Sequence, residues 1–147
     1  MKLETQNKFM WTCPKCKREF KNRNQGHSCG DFTINQVFEK YSPEIFELFS
    51  IIYKLVKSFG DMQISPVKSG VMFTANTTFL ALKPHSKYLS VEFASGNAYD
   101  EFPIEKCVQI SKTEFAHILR IENKFEIDSQ ISDWLSEAYQ FNKQYKK

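Results

Sequence analysis

Apolar residues recur at helical spacing from Ile45 onward. Ile45, Phe49, Ile52, Val56 and Phe59 form one stripe, with Phe46, Leu48 and Leu55 beside it. That is a broad face of the kind a helix turns toward a core. Ser42, Pro43 and Glu44 supply a cap, a proline for the first turn and an acid near the positive end. Gly60 predicts the stop. Before this helix, 32–41 reads as a linker entering a short helix.

Past Gly60 the period changes to two. Residues 62–68, 70–75, 78–83 and 88–94 each read as strands, and in the last Leu89, Val91 and Phe93 alternate with polar neighbours, as on a sheet with one wet face. Asn76-Thr77 and 84–87 carry turn residues, which predicts antiparallel hairpins. A loop over 95–103 precedes two more strands, 105–110 and 114–121. Ile127, Ile131, Trp134, Ala138 and Phe141 then mark a closing amphipathic helix, with Asp128 near its start. The pattern predicts an α+β fold in which a curled antiparallel sheet of about six strands carries an N-terminal and a C-terminal helix on one face. The other sheet face is partly apolar too, and the alternatives for it are a concave surface, cover by the N-terminal segment, or use by a partner.

Length and composition add two limits. With 147 residues and 14 Phe, one domain with a small appendage can fill a core. No apolar run approaches the roughly 20 residues that a membrane helix needs, and the first residues are polar. The chain is therefore expected to work in a reducing cytosol, with no membrane partner and no disulfide framework.

The cysteines and the charge point to the N-terminus. Cys13, Cys16, His27 and Cys29 are spaced C-x2-C, ten residues, H-x-C. Three thiolates and one imidazole make a closed tetrahedral set for one structural zinc ion, with no open position for catalysis. A C-x-x-C of redox character is the alternative, but it gives His27 and Cys29 no reason to lie so close in sequence. The same segment, 1–31, holds Lys2, Lys8, Lys15, Lys17, Arg18, Lys21 and Arg23 against Glu4, Glu19 and Asp31. The remaining residues carry a slight acidic excess. Lys17, Arg18, Lys21 and Arg23, interleaved with Asn22, Asn24 and Gln25, could neutralise phosphates and reach base edges; a solvated loop is the plainer alternative. DNA or RNA is thus one expected partner, and another protein is the second. The division expected is a zinc-finger module at 1–31 and an α+β domain at 32–147.

The run W-x-C-P-K-C-x3-F, from Trp11 to Phe20, followed by N-Q-x-H-S-C-G, resembles the N-terminal finger of a bacterial family of unknown function, domain-of-unknown-function family 5655. The resemblance continues through the amphipathic helix, the strands from Pro66 to Phe79, the strand ending His117-Ile118-Leu119-Arg120-Ile121, Asp128, and the helix around Trp134-Leu135-Ser136-Glu137-Ala138-Tyr139. It implies the zinc site and the fold. It implies no activity; the transport label that some members carry has no mechanism legible in these residues.

The α+β domain shows no Gly-rich phosphate loop, nucleophile elbow or H-E-x-x-H. His117 shares strand parity with Phe115, Leu119 and Ile121, which suits a satisfied core histidine, with catalysis as the alternative. Lys68, Glu92, His117 and Arg120 are a candidate pocket if their strand ends meet. Cys107 is expected to be buried and inert. The reading reached is a zinc-binding adaptor whose basic finger contacts nucleic acid. A small-ligand-binding domain or an enzyme with a purely structural finger is the alternative, and a protein-interaction accessory is a third.

Overall fold

The computed structural model describes residues 33–144, together with the backbone of two short strands, β1 (Trp11–Thr12) and β2 (Glu19–Phe20). The body runs α1 (Ile34–Phe38), α2 (Pro43–Lys57), six strands, then α3 (Ser129–Gln144). The strands are β3 (Gln63–Val67), β4 (Gly70–Thr74), β5 (Thr78–Pro84), β6 (Leu89–Ser95), β7 (Lys106–Gln109) and β8 (Phe115–Ile121). They form one open antiparallel sheet in the order β3-β4-β5-β6-β8-β7. The α+β expectation holds, and every strand end falls within one residue of the sequence estimate.

The helix boundaries follow from local chemistry. Thr33 and Gln36 cap α1 reciprocally: the Thr33 hydroxyl accepts from the Gln36 N–H at 3.1 Å, and Gln36 Oε1 accepts from the Thr33 N–H at 2.7 Å, so two orphan donors are satisfied at once. Ser42 accepts from Ile45 N–H at the head of α2, with Pro43 and Glu44 in its first turn. Beyond its end, Gly60 takes φ +147°, a conformation that side-chain-bearing residues avoid. A Cβ there would also strike the Tyr139 hydroxyl. At the start of α3, Asp128 accepts from Ile131 N–H at 3.1 Å, which satisfies a first-turn donor. Ile127 lies just outside that helix and still packs on the core. A 3-10 turn over Lys124–Glu126 had no apolar period to announce it.

The core lies between the helices and one face of the sheet. Val71, Phe73, Leu80, Leu82, Val91, Phe93, Leu119 and Ile121 line that face and meet Phe49 and Ile52 of α2 and Trp134, Leu135 and Tyr139 of α3. Ring contacts join the layers: Phe49 and Tyr53 to Phe73, Tyr139 to Phe79, Trp134 to Phe93. Phe79 breaks strict alternation. Phe73 pairs with Leu80 and Thr74 with Thr78, so Phe79 is the extra residue of a β-bulge. The bulge turns its ring inward with Leu80, where both are about 1% exposed.

The edges are blunted. β3 carries Pro66, which has no N–H to offer, and β7 is four residues long with Lys106 on it, two devices that discourage further strand pairing. β8 inserts between β6 and β7, so the last hairpin joins the sheet through its second strand. Alternation along each strand does not name its neighbour, so pairing alone sets this order. Among the described residues no helix is long and apolar enough to cross a membrane.

Candidate functional site

Two places merit scrutiny: the N-terminal ligand set, and the polar groups of the body. Cys13, Cys16, His27 and Cys29, and the cations Lys17, Arg18, Lys21 and Arg23, lie outside the described residues. The described residues nearest in sequence to Cys13, Cys16 and the four cations are the strand pair β1 and β2. Trp11 stands opposite Phe20 and Thr12 opposite Glu19, and the connection 13–18 between those strands contains Cys13, Cys16, Lys17 and Arg18.

In the body, His117 is fully buried on the core face of β8. Its Nε2 accepts from the Tyr99 N–H at 3.1 Å. That assigns the ring proton to Nδ1, which faces the Phe93 carbonyl at 3.4 Å. The ring stacks on Phe93 at 4.6 Å and 14° and meets Tyr99 at 5.3 Å. Burial pushes its pKa down, outweighing the carbonyls of Phe93 and Asn97, which favour the charged form. The imidazole is therefore neutral near pH 7 with both nitrogens engaged. It ties the loop after β6 to the sheet, and neither nitrogen is presented to a substrate.

Cys107 is the cross-strand partner of His117, the most enzyme-like juxtaposition in the body. It is half-buried rather than buried as expected, because among the described residues edge strand β7 has no neighbour on its far side. Burial, then Asp100, pushes its thiol pKa up. A nucleophilic cysteine needs the opposite shift.

The candidate pocket residues are divided by the sheet. Glu92 is half-buried on the face away from the helices and pairs with Lys83 at 3.3 Å. Arg120 is exposed on that same face, pairs with Glu105 at 3.1 Å, and lies over the Tyr88 ring at 4.6 Å. Lys68 occupies the β3–β4 turn. His117 differs from Arg120 by an odd number of residues along one strand and so faces the opposite side. Arg120 and Glu92 share a face; His117 does not join them.

Sequence reasoning missed Asn142 and the Tyr99 amide. Asn142 is fully buried on the apolar stripe of α3. Its Nδ2 donates to the Ala94 and Ala138 carbonyls at 2.9 and 2.8 Å, and its Oδ1 accepts from the Thr77 hydroxyl at 2.6 Å. A polar residue one turn beyond Ala138 on that stripe was the available signal. An open cleft of about 520 Å³ lies nearby, between the turn at Gly96-Asn97, the β7–β8 turn at Lys112-Thr113, and α3 at Glu137 and Phe141. Asn97 Nδ2 donates to Glu137 across it at 2.6 Å. Among the described residues no group of three or more His, Cys, Asp and Glu side chains is placed to hold a metal ion.

The body is thus an α+β domain whose buried histidine and asparagine are hydrogen-bonded fasteners, with its charges on the surface. The family model described as Domain of unknown function (DUF5655) matches residues 34–142, and the chain belongs to that family. No curated protein and no solved structure matches it.

Proposed function

We propose that this protein is a zinc-dependent nucleic-acid-binding adaptor. One structural Zn²⁺ on Cys13, Cys16, His27 and Cys29 would fold the N-terminal segment, and Lys17, Arg18, Lys21 and Arg23 would neutralise phosphates. The observation carrying this reading is that one 31-residue stretch holds a full set of soft ligands and all of the chain's excess positive charge. The donor set fits zinc: thiolate and imidazole are its preferred ligands, and four of them close the tetrahedron. Pairing of Thr12 with Glu19 supports the fit, since it brings together the ends of the connection that carries Cys13 and Cys16. Three thiolates around a divalent ion leave one net negative charge, so the module stays cationic. The neutral, fully bonded His117 supports a scaffold role for the body, which the family description, one of unknown function, leaves open.

The test is metal content and oligonucleotide binding by the full chain, purified without chelator. We expect one zinc per chain. Binding of a fluorescent oligonucleotide should weaken by orders of magnitude between about 50 and 200 mM salt if several phosphates are contacted. Replacing Lys17, Arg18, Lys21 and Arg23 by alanine should abolish most of it. Metal-free protein, or binding indifferent to those four changes, defeats the reading; the cleft beside Glu137 is then the first place to look for a small ligand.

A further inference from the structure

The described helices all pack on one side of the sheet, and among the described residues nothing packs on the other. Helices α2 and α3 carry Glu44, Glu47, Asp133 and Glu137 against Lys54, Lys57 and Lys143, close to balance. The face turned away from them carries Lys83, Lys106 and Arg120 against Glu92 and Glu105, with Lys68 and Lys87 in the turns at one end of the sheet. Its side chains stand in rows fixed by register. Lys83, Ser90 and Arg120 are cross-strand partners in one row, and Met72, Ala81, Glu92, Ile118 and Lys106 in the next. Ala94, Ala116 and Val108 make a third. Ala81, Ala94 and Ala116 are short enough to leave a shallow groove of about 160 Å³ beside Met72 and Glu92.

The cationic row is ordered, and each of its two cations is held by one partly exposed ion pair. Gly70 leaves room for the Lys83 stem, whose Cγ lies 2.9 Å from where a Gly70 Cβ would stand. His85 stacks on Tyr88 at 4.4 Å and 19°, and Arg120 covers the same ring at 4.6 Å. This stack holds the guanidinium in the row next to that of Ala81 and Glu92. The Lys83–Glu92 and Arg120–Glu105 pairs are one-third to one-half exposed, and such pairs hold their partners weakly. Arginine has five N–H donors, so the single contact from Nε to Glu105 leaves it able to take a phosphate as well.

We propose that this face, uncovered among the described residues, is a second nucleic-acid surface, on which a single strand lies along the alanine groove with its phosphates on Lys68, Lys83, Lys87 and Arg120. Charge complementarity selects the partner. A flexible polyanion of repeating charge can meet cations spread along one edge of a sheet, and groove and row together offer apolar contact beside phosphate contact. The proposal rests on the nucleic-acid reading above but on different residues, so the two can fail separately.

The experiment is fluorescence anisotropy of the full, zinc-loaded chain with a labelled 20-nucleotide oligo-U and a matching oligo-dT, across a salt series. The body variant is Lys68→Glu/Lys87→Glu, both exposed turn residues, with circular dichroism to confirm folding. The finger variant carries alanine at Lys17, Arg18, Lys21 and Arg23. We expect the body variant to weaken binding about tenfold or more and to flatten the log–log salt slope by roughly 1.4, at ~0.7 per lost single-strand phosphate contact. Binding lost only in the finger variant overturns this surface and leaves the proposed function standing. Binding lost only in the body variant overturns the finger and leaves this surface. Wild-type protein that binds neither oligonucleotide overturns both. Equal competition by polyglutamate shows an acidic peptide partner and overturns the nucleic-acid assignment.

Discussion

Replacing His117 by phenylalanine should cost stability at high pH and much less at low pH. Phenylalanine can keep the stack on Phe93, so the perturbation falls on the hydrogen bonds. The Tyr99 N–H, now held at 3.1 Å, loses its acceptor, and leaving such a donor unsatisfied costs about 1–3 kcal/mol. The Phe93 carbonyl, at 3.4 Å from Nδ1, loses a weaker contact. At pH 8 the variant should therefore be less stable by about 1–3 kcal/mol.

The wild-type histidine has a pKa lowered by burial, so the unfolded chain takes up the proton first. Between the unfolded value, near 6.5, and the lower folded value, the unfolded state binds more protons, and wild-type stability falls as pH falls. The loss is at most about 1.4 kcal/mol per pH unit, and phenylalanine has nothing to titrate. The gap between the two proteins should thus be widest above pH 6.5 and shrink toward pH 5. Urea unfolding followed by fluorescence, with buried Trp134 as reporter and circular dichroism as second probe, measures it. Groups common to both proteins cancel in the difference. A gap that stays constant or widens from pH 8 to pH 5 would refute the buried, neutral assignment. Hydrogen exchange gives an independent check, since the Tyr99 amide should exchange faster in the variant.

Further expectations follow from other fasteners. Gly60→Ala combines an unfavourable φ with a Cβ 2.5 Å from the Tyr139 hydroxyl, and should lower stability by about 1–3 kcal/mol in urea unfolding; a neutral result would mean that the α2–β3 connection relaxes freely. Tyr139→Phe, which removes the hydrogen bond to the Asp61 carbonyl, should cost only about 0.5–1.5 kcal/mol by the same measurement. Asn142→Leu strips partners from Thr77 and from the Ala94 and Ala138 carbonyls and should cost about 2–4 kcal/mol; thermal unfolding at or above the wild-type midpoint would show these groups satisfied another way. Cys13→Ser or Cys29→Ser should abolish zinc binding, read by elemental analysis, while leaving unfolding of the body unchanged. Collapse of the body in those variants would mean that the metal module is integral to its core.

Much of the body was legible from local pattern. The α2 stripe, the cap at Ser42, the stop at Gly60 and the alternation of Leu89, Val91 and Phe93 each report a choice made within a few residues, where burial periodicity and backbone chemistry act directly. The α+β class and the membership of His117 in the core follow from the same signals. Other features were not local. Strict alternation would have put Phe79 on the outer face, and only its pairing with the bulge reveals otherwise. Asn142 looks unfavourable on an apolar stripe until Thr77 and Ala94 arrive from distant strands to bond it.

Sequence by itself therefore determined most of the elements and their inward faces, because these depend on side-chain type and spacing along one segment. Tertiary structure alone decided that β8 enters beside β6, that Lys83 and Arg120 share a row while His117 faces the other way, and that the groove of alanines lies beside them. Those are questions of which strand lies next to which. They are settled by pairing energy summed over the whole sheet, and no single stretch of the chain contains it.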